Sequence, residues 1–247
     1  MTSYDGVPLE ELARRLAAPR CLALGQVSST LDKVHELAGD GAPAGTVVLA
    51  EEQLAGRGRM GRRWLSPPGT GIWLGYLARP ECAGEHGLMA LRVGLAVVAS
   101  LGDLGVAARL KWPNDVLVSD RKLGGILCEA RWAGRRVAWV AVGVGVNVHR
   151  PLPEELEGAA ITLDEIRSDV SRVAVLERLV PRLHVLPDAA QLTAEEQATY
   201  ARHDWLRGRS LTGPVVGIAM GIDHEGALLV ETEHGVERIL GGSVAAA

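Results

Sequence analysis

The chain carries none of the familiar catalytic signatures: no G-x-x-x-x-G-K-[ST] phosphate loop, no H-E-x-x-H and no G-x-S-x-G elbow. Its seven histidines are scattered, and each reads as a surface or core residue before a metal ligand. Cysteine is scarce. Cys21, Cys82 and Cys128 are far apart, odd in number and outside any C-x-x-C spacing, which fits reduced thiols better than a disulfide framework or a zinc site. No uncharged apolar run approaches the roughly 18 to 20 residues that a membrane span requires. No charge sign dominates either: 26 Lys and Arg face 30 Asp and Glu, a formal net charge of -4, with no basic pole at either end. Bulk electrostatics therefore gives no reason to expect nucleic acid or an anionic membrane as partner. The opening stretch MTSYDGVPLEELARRL is acidic and amphipathic where a signal peptide is basic and then apolar, so a cytoplasmic protein is expected.

What is present is enough apolar material, 47% of 247 residues, to bury a full core in one large domain plus a small one. Residues 7 to 18 read as a first helix and SSTLDKVHELAGDG as a second, capped by Ser29 or Thr30. RCLALGQ, GTVVLAEE and GIWLGYLARP read as strands. The stretch GLMALRVGLAVVASLGDL, apolar on nearly every face, predicts a central helix buried on more than one side. After it, DVLVSD, GGILCEARW and RRVAWVAVGVGVNV are joined by connections too short for a parallel crossover, so they are expected to be antiparallel neighbours. The chain turns helical again from about Leu152 to Asp204, with Pro181 expected to kink or break a helix. Beyond a boundary near Arg207, short strands punctuated by glycine predict a small antiparallel barrel, and the terminal AAA reads as a tail. The expected organisation is thus residues 1–206 and 207–247.

Three segments carry chemistry. EEQLAGRGRMGRRWLSPPG contains the spacing Gly56-x-Gly58-x-x-Gly61, but RRWLSPPGTG cannot supply the helix that a dinucleotide fingerprint needs behind it. Glycines interleaved with Arg57, Arg59, Arg62 and Arg63 instead suit a loop that folds over a carboxylate or phosphoryl group; a solvated basic turn is the plain alternative. In LKWPNDVLVSDRKLGGIL, Lys111, Asn114, Asp115 and Lys122 bring two cations, a carboxylate and an amide into one strand-turn-strand unit, while Gly124 and Gly125 permit close backbone approach. Simple turn chemistry for Asp115 and a solvated turn for Lys122 stay open at this point. In VGVGVNV, Gly143 and Gly145 clear one strand face, for a ligand or for a packing helix, and the strand ends at Asn147.

Taken in order and spacing, SST, EEQLAGRGRMGRRW, KWPNDV, KLGGIL and GVGVNV closely resemble the biotin protein ligases, over roughly residues 20 to 247. The resemblance implies an α+β fold: a mixed, largely antiparallel sheet with helices, like the catalytic core of class II aminoacyl-tRNA synthetases, followed by an SH3-like barrel. It implies that biotin and Mg-ATP give biotinyl-AMP, which is then passed to a lysine of a biotin carboxyl carrier domain. By position, Ser29, Thr30 and Gln53 match residues that bind biotin's polar groups, with Gly125 beside them. Arg57, Gly58 and Arg59 match the loop over biotin and its adenylate. Lys122 matches the lysine at the reacting carboxylate and phosphate. Lys111, Asn114 and Asp115 match the signature beside the adenylate, with Asp115 near any Mg2+, and Asn147 matches an asparagine near the nucleotide. Lys122, Arg59, Asp115 and Lys111 are the residues implied to carry catalysis.

The sequence also departs from the family pattern. Leu31 and Asp32 follow Thr30 where S-T-N is frequent, Met60 stands where a further Arg is common, and Gly75 falls where a small hydroxyl residue can occur. Some twenty residues precede the matched region, too few for the DNA-binding segment of the longer regulators in this family, so no nucleic-acid role is expected. Homodimerisation is left open. Trp64 and Trp73 are candidates for the wall of a biotin slot or for the core. A lipoate-attaching ligase, which shares the fold, and a non-catalytic holder of biotin or biotinyl-AMP are the competing readings.

Overall fold

The computed structural model describes residues 1–81 and 87–246, so Cys82 and the last alanine lie outside the described residues. The Asp5-Gly6 pair takes positive φ at both positions (48° and 77°), which turns β1 (Ser3–Tyr4) back on β2 (Val7–Pro8) ahead of α1 (Leu9–Arg15). The first helix is therefore shorter than residues 7 to 18, because the second strand of this hairpin takes its expected first residues. β3 (Cys21–Val27) and β4 (Val47–Gln53) run parallel, linked by α2 (Thr30–Gly39). Next come β5 (Gly71–Ala78), α3 (Gly87–Gly102), β6 (Arg109–Lys111), β7 (Asp115–Val118), β8 (Arg121–Ala133) and β9 (Arg136–Asn147). All of these strands lie in one seven-stranded sheet of order β3-β4-β5-β9-β8-β7-β6. Every pair in it except β3–β4 is antiparallel.

The two faces of the sheet are covered differently. α2 packs on one face through Leu31, Val34 and Leu37 against Val48, Leu77 and Ala141. The larger core occupies the other face, where α3 is wedged between the sheet and α5 (Arg172–His184), with α4 (Leu163–Ile166) and α6 (Ala194–His203) completing the cover. α3 is the centrally buried helix that its all-round apolar surface predicts. No helix among the described residues is long and apolar enough to cross a membrane.

Pro181 does not break its helix. α5 runs through it to His184, and the buried residues Leu176, Leu179, Val180 and Leu183 on the same helix explain why. An interior proline costs ~3 kcal/mol, whereas each buried aliphatic side chain contributes about 1.5–3 kcal/mol. The terminal alanines also correct the expected tail. Ala245–Ala246 form β14, paired with β10 (Ser210–Gly213) at the edge of a five-stranded antiparallel sheet that also holds β11 (Val216–Ile222), β12 (Leu228–Thr232) and β13 (Gly235–Ile239).

Candidate functional site

The site begins with four glycines on one sheet face. Register aligns Gly75 of β5 with Gly143 of β9, and Gly145 of β9 with Gly125 of β8. Side chains alternate along strands, so Gly75, Gly143, Gly145 and Gly125 leave a connected bare patch. Two different groups settle on it. A Cβ on Gly75 would meet the Thr30 carbonyl oxygen at 2.9 Å, and one on Gly143 would meet Leu31 at 3.2 Å, so these two seat the N-terminus of α2. A Cβ on Gly145 would lie 2.6 Å from the Trp64 indole, and one on Gly125 would lie 3.1 Å from it. The glycine strand thus serves both readings open in the sequence, a helix at one end and the site at the other.

Trp64 reaches its seat from the arginine segment, which is an ordered hairpin. Its neck is joined by Gln53–Ser66 and Arg57–Arg63 bridges and by the bond from Gly58 N–H to Arg62 O at 2.7 Å. Its tip, Arg59–Gly61, is a single 3-10 turn in which Met60 has φ 56° and Gly61 φ 73°. No helix follows, which removes the dinucleotide reading of the three glycines. Gly56 is required by closeness, since a Cβ there would meet the Trp64 carbonyl oxygen at 2.4 Å.

Opposite the hairpin, β7 turns into β8 through Ser119 and Asp120, both at positive φ (49° and 62°). Leu117 pairs with Lys122, and after a register shift Asp115 pairs with Gly125. The shift puts Asp115, Lys122 and Gly125 on one face, and the missing side chain at Gly125 leaves room for the lysine. Lys122 Nζ lies 2.6 Å from Asp115 Oδ1 and 5.2 Å from the centre of the Trp64 ring. The Arg59 guanidinium has no hydrogen-bonded or ion-paired partner among the described residues. Burial pushes its guanidinium below the usual arginine range, against the opposing pull of the Asp115 carboxylate.

These parts enclose a cavity of about 180 Å³. Of the residues singled out from sequence, Ser29, Thr30, Gln53, Arg57, Gly58, Arg59, Lys111, Asn114, Asp115, Lys122 and Gly125 all line it. Asn147 does not. It is buried beneath the wall, its amide directed at the carbonyls of Lys122 and Ile161, both at 3.4 Å. Asn114 similarly holds its turn to β8, donating to Ile126 O at 2.9 Å, and Lys111 rests over the Trp205 ring at 5.2 Å. Trp73, only 1% exposed, is both core and cavity wall. Sequence reading missed the far wall, Gly242, Ser243 and Val244, which comes from the segment that leads into β14 and carries no recognisable motif.

At the α2 end the hydrogen bonds fix what remains available. Gln53 Oε1 accepts from Thr30 N–H at 2.8 Å and from Thr30 Oγ1 at 3.1 Å, while Gln53 Nε2 donates to Ser66 Oγ at 2.8 Å. Thr30 Oγ1 has therefore used its proton and keeps acceptor capacity. Ser29 Oγ accepts from Leu31 N–H at 3.3 Å and keeps its proton to donate. One end of the cavity offers a hydroxyl donor beside a hydroxyl acceptor; the other offers cations and one carboxylate.

A mixed sheet stripped of side chains on one face, roofed by an arginine hairpin and walled by a lysine–aspartate pair, defines a site for a small, partly apolar anion. Residues 25–147 match the Biotin/lipoate A/B protein ligase family, and residues 207–245 match the Biotin protein ligase C terminal domain. The Biotin--[acetyl-CoA-carboxylase] ligase of Paracoccus denitrificans is 34% identical over 225 residues, 84% of this chain and 92% of that one. The Bifunctional ligase/repressor BirA of Bacillus spizizenii is 34% identical over 242 residues, 88% of this chain and 71% of that protein. Among solved structures, the biotin protein ligase of Aquifex aeolicus in complex with biotin and ATP superposes with a TM-score of 0.78 at 30% identity, covering 93% of this chain and 99% of that one. The chain belongs to the biotin protein ligases of the biotin/lipoate A/B protein ligase family.

Proposed function

We propose that the protein joins biotin to ATP as biotinyl-AMP and transfers the biotinyl group to one lysine of the biotin carboxyl carrier domain of a biotin-dependent carboxylase. In the first step a biotin carboxylate oxygen attacks the α-phosphorus and pyrophosphate leaves. In the second, the neutral amine of the carrier lysine attacks the acyl carbon, AMP leaves and the nitrogen loses a proton. The observation that carries the reading is the convergence of Lys122 and Arg59 on one cavity beside Asp115, in a chain of this family.

The physical demand is charge. Two anions brought to about 4 Å at an effective dielectric near 20 repel by about 4 kcal/mol. One preorganised donor aimed at developing charge is worth roughly 2.7 to 4 kcal/mol. Lys122 with Arg59 therefore suffices to offset the approach, and Lys111 adds to the field around the phosphates. Asp115, 2.6 Å from Lys122, aims that ammonium before substrates arrive, and it is the carboxylate to which the incoming amine would shed a proton. Biotin's ureido group has the complementary pattern to the α2 end, its carbonyl toward Ser29 and an N–H toward Thr30 Oγ1, with Gln53 behind. Trp64 and the glycine strand supply the apolar slot. Asn147 acts through the Lys122 carbonyl.

Among the described residues no group of three or more His, Cys, Asp or Glu gathers to hold a metal. Mg2+ fits here as an ion carried chiefly by phosphate oxygens and water, with Asp115 the nearest carboxylate to share; it supplies further charge neutralisation. The adenylate hydrolyses when water reaches it, which gives the arginine hairpin its second task, to cover the product until the carrier lysine arrives. In this proposal residues 1–206 form the catalytic unit on the class II synthetase-like plan, and 207–247 form an SH3-like barrel whose segment 242–244 completes the cavity.

The test is mass spectrometry of a biotin-acceptor domain after incubation with the protein, biotin and Mg-ATP. The reading requires one lysine to gain one biotinyl group. Tight biotin binding with an unmodified acceptor would make the protein a holder, and lipoyl transfer in place of biotinyl transfer would reverse the substrate.

A further inference from the structure

Arg57 belongs to the ligand loop, yet three of its nitrogens are already engaged. Nε and Nη2 donate to the two oxygens of Glu129, each at 3.0 Å, and Nη1 donates to Asp32 Oδ1 at 2.6 Å. These hydrogen bonds hold its guanidinium above the usual range, the Glu129 bond first among them.

The two carboxylates are not equivalent. Glu129 stands on β8 and is held from α2 as well, because His35 of that helix lies 3.1 Å from its Oε2. Trp139 Nε1 can only donate, and it donates to His35 Nδ1 at 2.9 Å. The proton of the neutral imidazole is therefore on Nε2, directed at Glu129. Glu129 thus meets Arg57 fork to fork and is oriented before the loop arrives. Asp32 sits in the first turn of α2, its side chain 47% exposed, and apart from Arg57 is held by Ser28 Oγ at 2.9 Å. A single-point, exposed ion pair is weak and exchanges readily; an oriented bidentate pair does not.

We propose that Glu129 is a positioning residue that keeps Arg57 in the cavity wall, and that Asp32 is a built-in competitor, occupying Nη1 until the ligand's carboxylate or phosphoryl oxygen replaces it. The competitor half rests on the reading of the cavity as a biotin and adenylate site; the anchor half does not. Loop closure is then an exchange of one anion for another at a single nitrogen, with the Glu129 fork intact. Two of the four loop arginines divide the work: Arg57 is the tethered donor at the neck, and Arg59, without a side-chain partner among the described residues, the donor at the tip.

The experiment uses the full chain with Asp32→Asn and Glu129→Gln. Biotin affinity is measured by calorimetry, and tryptic cleavage within residues 57–63 is timed without ligand and read by mass spectrometry. Asp32→Asn is expected to bind biotin about threefold tighter. Glu129→Gln is expected to bind it about tenfold more weakly and to be cut several-fold faster in the loop, with an unchanged melting temperature. Affinities that move in the same direction, or not at all, overturn the competitor. Loop cleavage of Glu129→Gln at the wild-type rate overturns the anchor. A wild-type chain that binds no biotin removes the reading and the competitor together, while the cleavage rates still decide the anchor. Should Glu129→Gln fail to fold, Arg57→Lys, which keeps the charge and loses the fork, is read in its place with the same expected loss.

Discussion

The division of labour along the glycine strand makes a sharp prediction for Gly145→Ala. An added Cβ would stand 2.6 Å from the Trp64 indole, where carbon atoms ordinarily rest about 3.5 to 4.0 Å apart. An overlap near 1 Å cannot be absorbed by the sheet, so the indole must lift. Overpacking of this kind costs about 1–3 kcal/mol. Trp64 is on the loop and outside both buried clusters, so the cost falls on the seating of the loop and leaves the core intact. At about 1.4 kcal/mol per tenfold, biotin affinity should drop roughly 5- to 150-fold. Gly143→Ala is the control. Its Cβ would press on Leu31 at 3.2 Å, inside the cluster of α2 on the sheet, and a cost of about 1 kcal/mol there lowers the melting temperature by about 2–4 °C. Calorimetric titration with biotin and thermal melts of both variants separate the two effects. Wild-type affinity in Gly145→Ala, or a larger melting shift there than in Gly143→Ala, would refute the assignment of Trp64 to the cavity.

Three further outcomes are expected. Arg172 is buried, paired with Asp5 and with Glu51 at 2.8 Å, and stacked over Tyr4 at 4.4 Å; Arg172→Met strands two carboxylates and should cost about 3–5 kcal/mol in urea unfolding. Asp204 is raised above the usual carboxylate range by burial, its hydrogen bonds from Leu206 and Arg207 opposing. The native state therefore holds that proton more tightly than the unfolded chain, and the contribution of Asp204 to stability falls as pH rises from the unfolded value through the folded one. Asp204→Asn should accordingly melt higher than wild type near pH 7 and show a flatter decline over that window. Lys122→Ala should lower pyrophosphate exchange by about 10²–10³-fold, the loss expected for one preorganised donor, while biotin affinity measured by calorimetry falls less.

Much of the scaffold was legible because it is local. The connections after Val118 and Ala133 are too short for anything but antiparallel pairing, and that is how β7, β8 and β9 run. The two prolines and two glycines behind Trp64 forbade a helix, and none forms. Lys122 and Asp115 could be put in one hairpin from sequence, but that they share a face depends on a register shift at Val116 and Leu117 that no residue pattern announces. The division of Gly143 from Gly145 was illegible for the same reason: period two tells which face is bare, not whether a helix or an indole covers it. Pairings across long separations were hidden altogether. Arg57 with Glu129 spans 72 residues, and the wall formed by segment 242–244 lies just ahead of β14, which pairs with β10 at the edge of the C-terminal sheet.

The most direct test of the account is isotope exchange between labelled pyrophosphate and ATP in the presence of the wild-type protein and Mg2+, with no acceptor domain added. Exchange that depends on biotin, and that lipoate does not support, is the predicted result. Saturable biotin binding with no exchange would mean that the cations of the cavity hold one anion without joining two, and the account would be wrong.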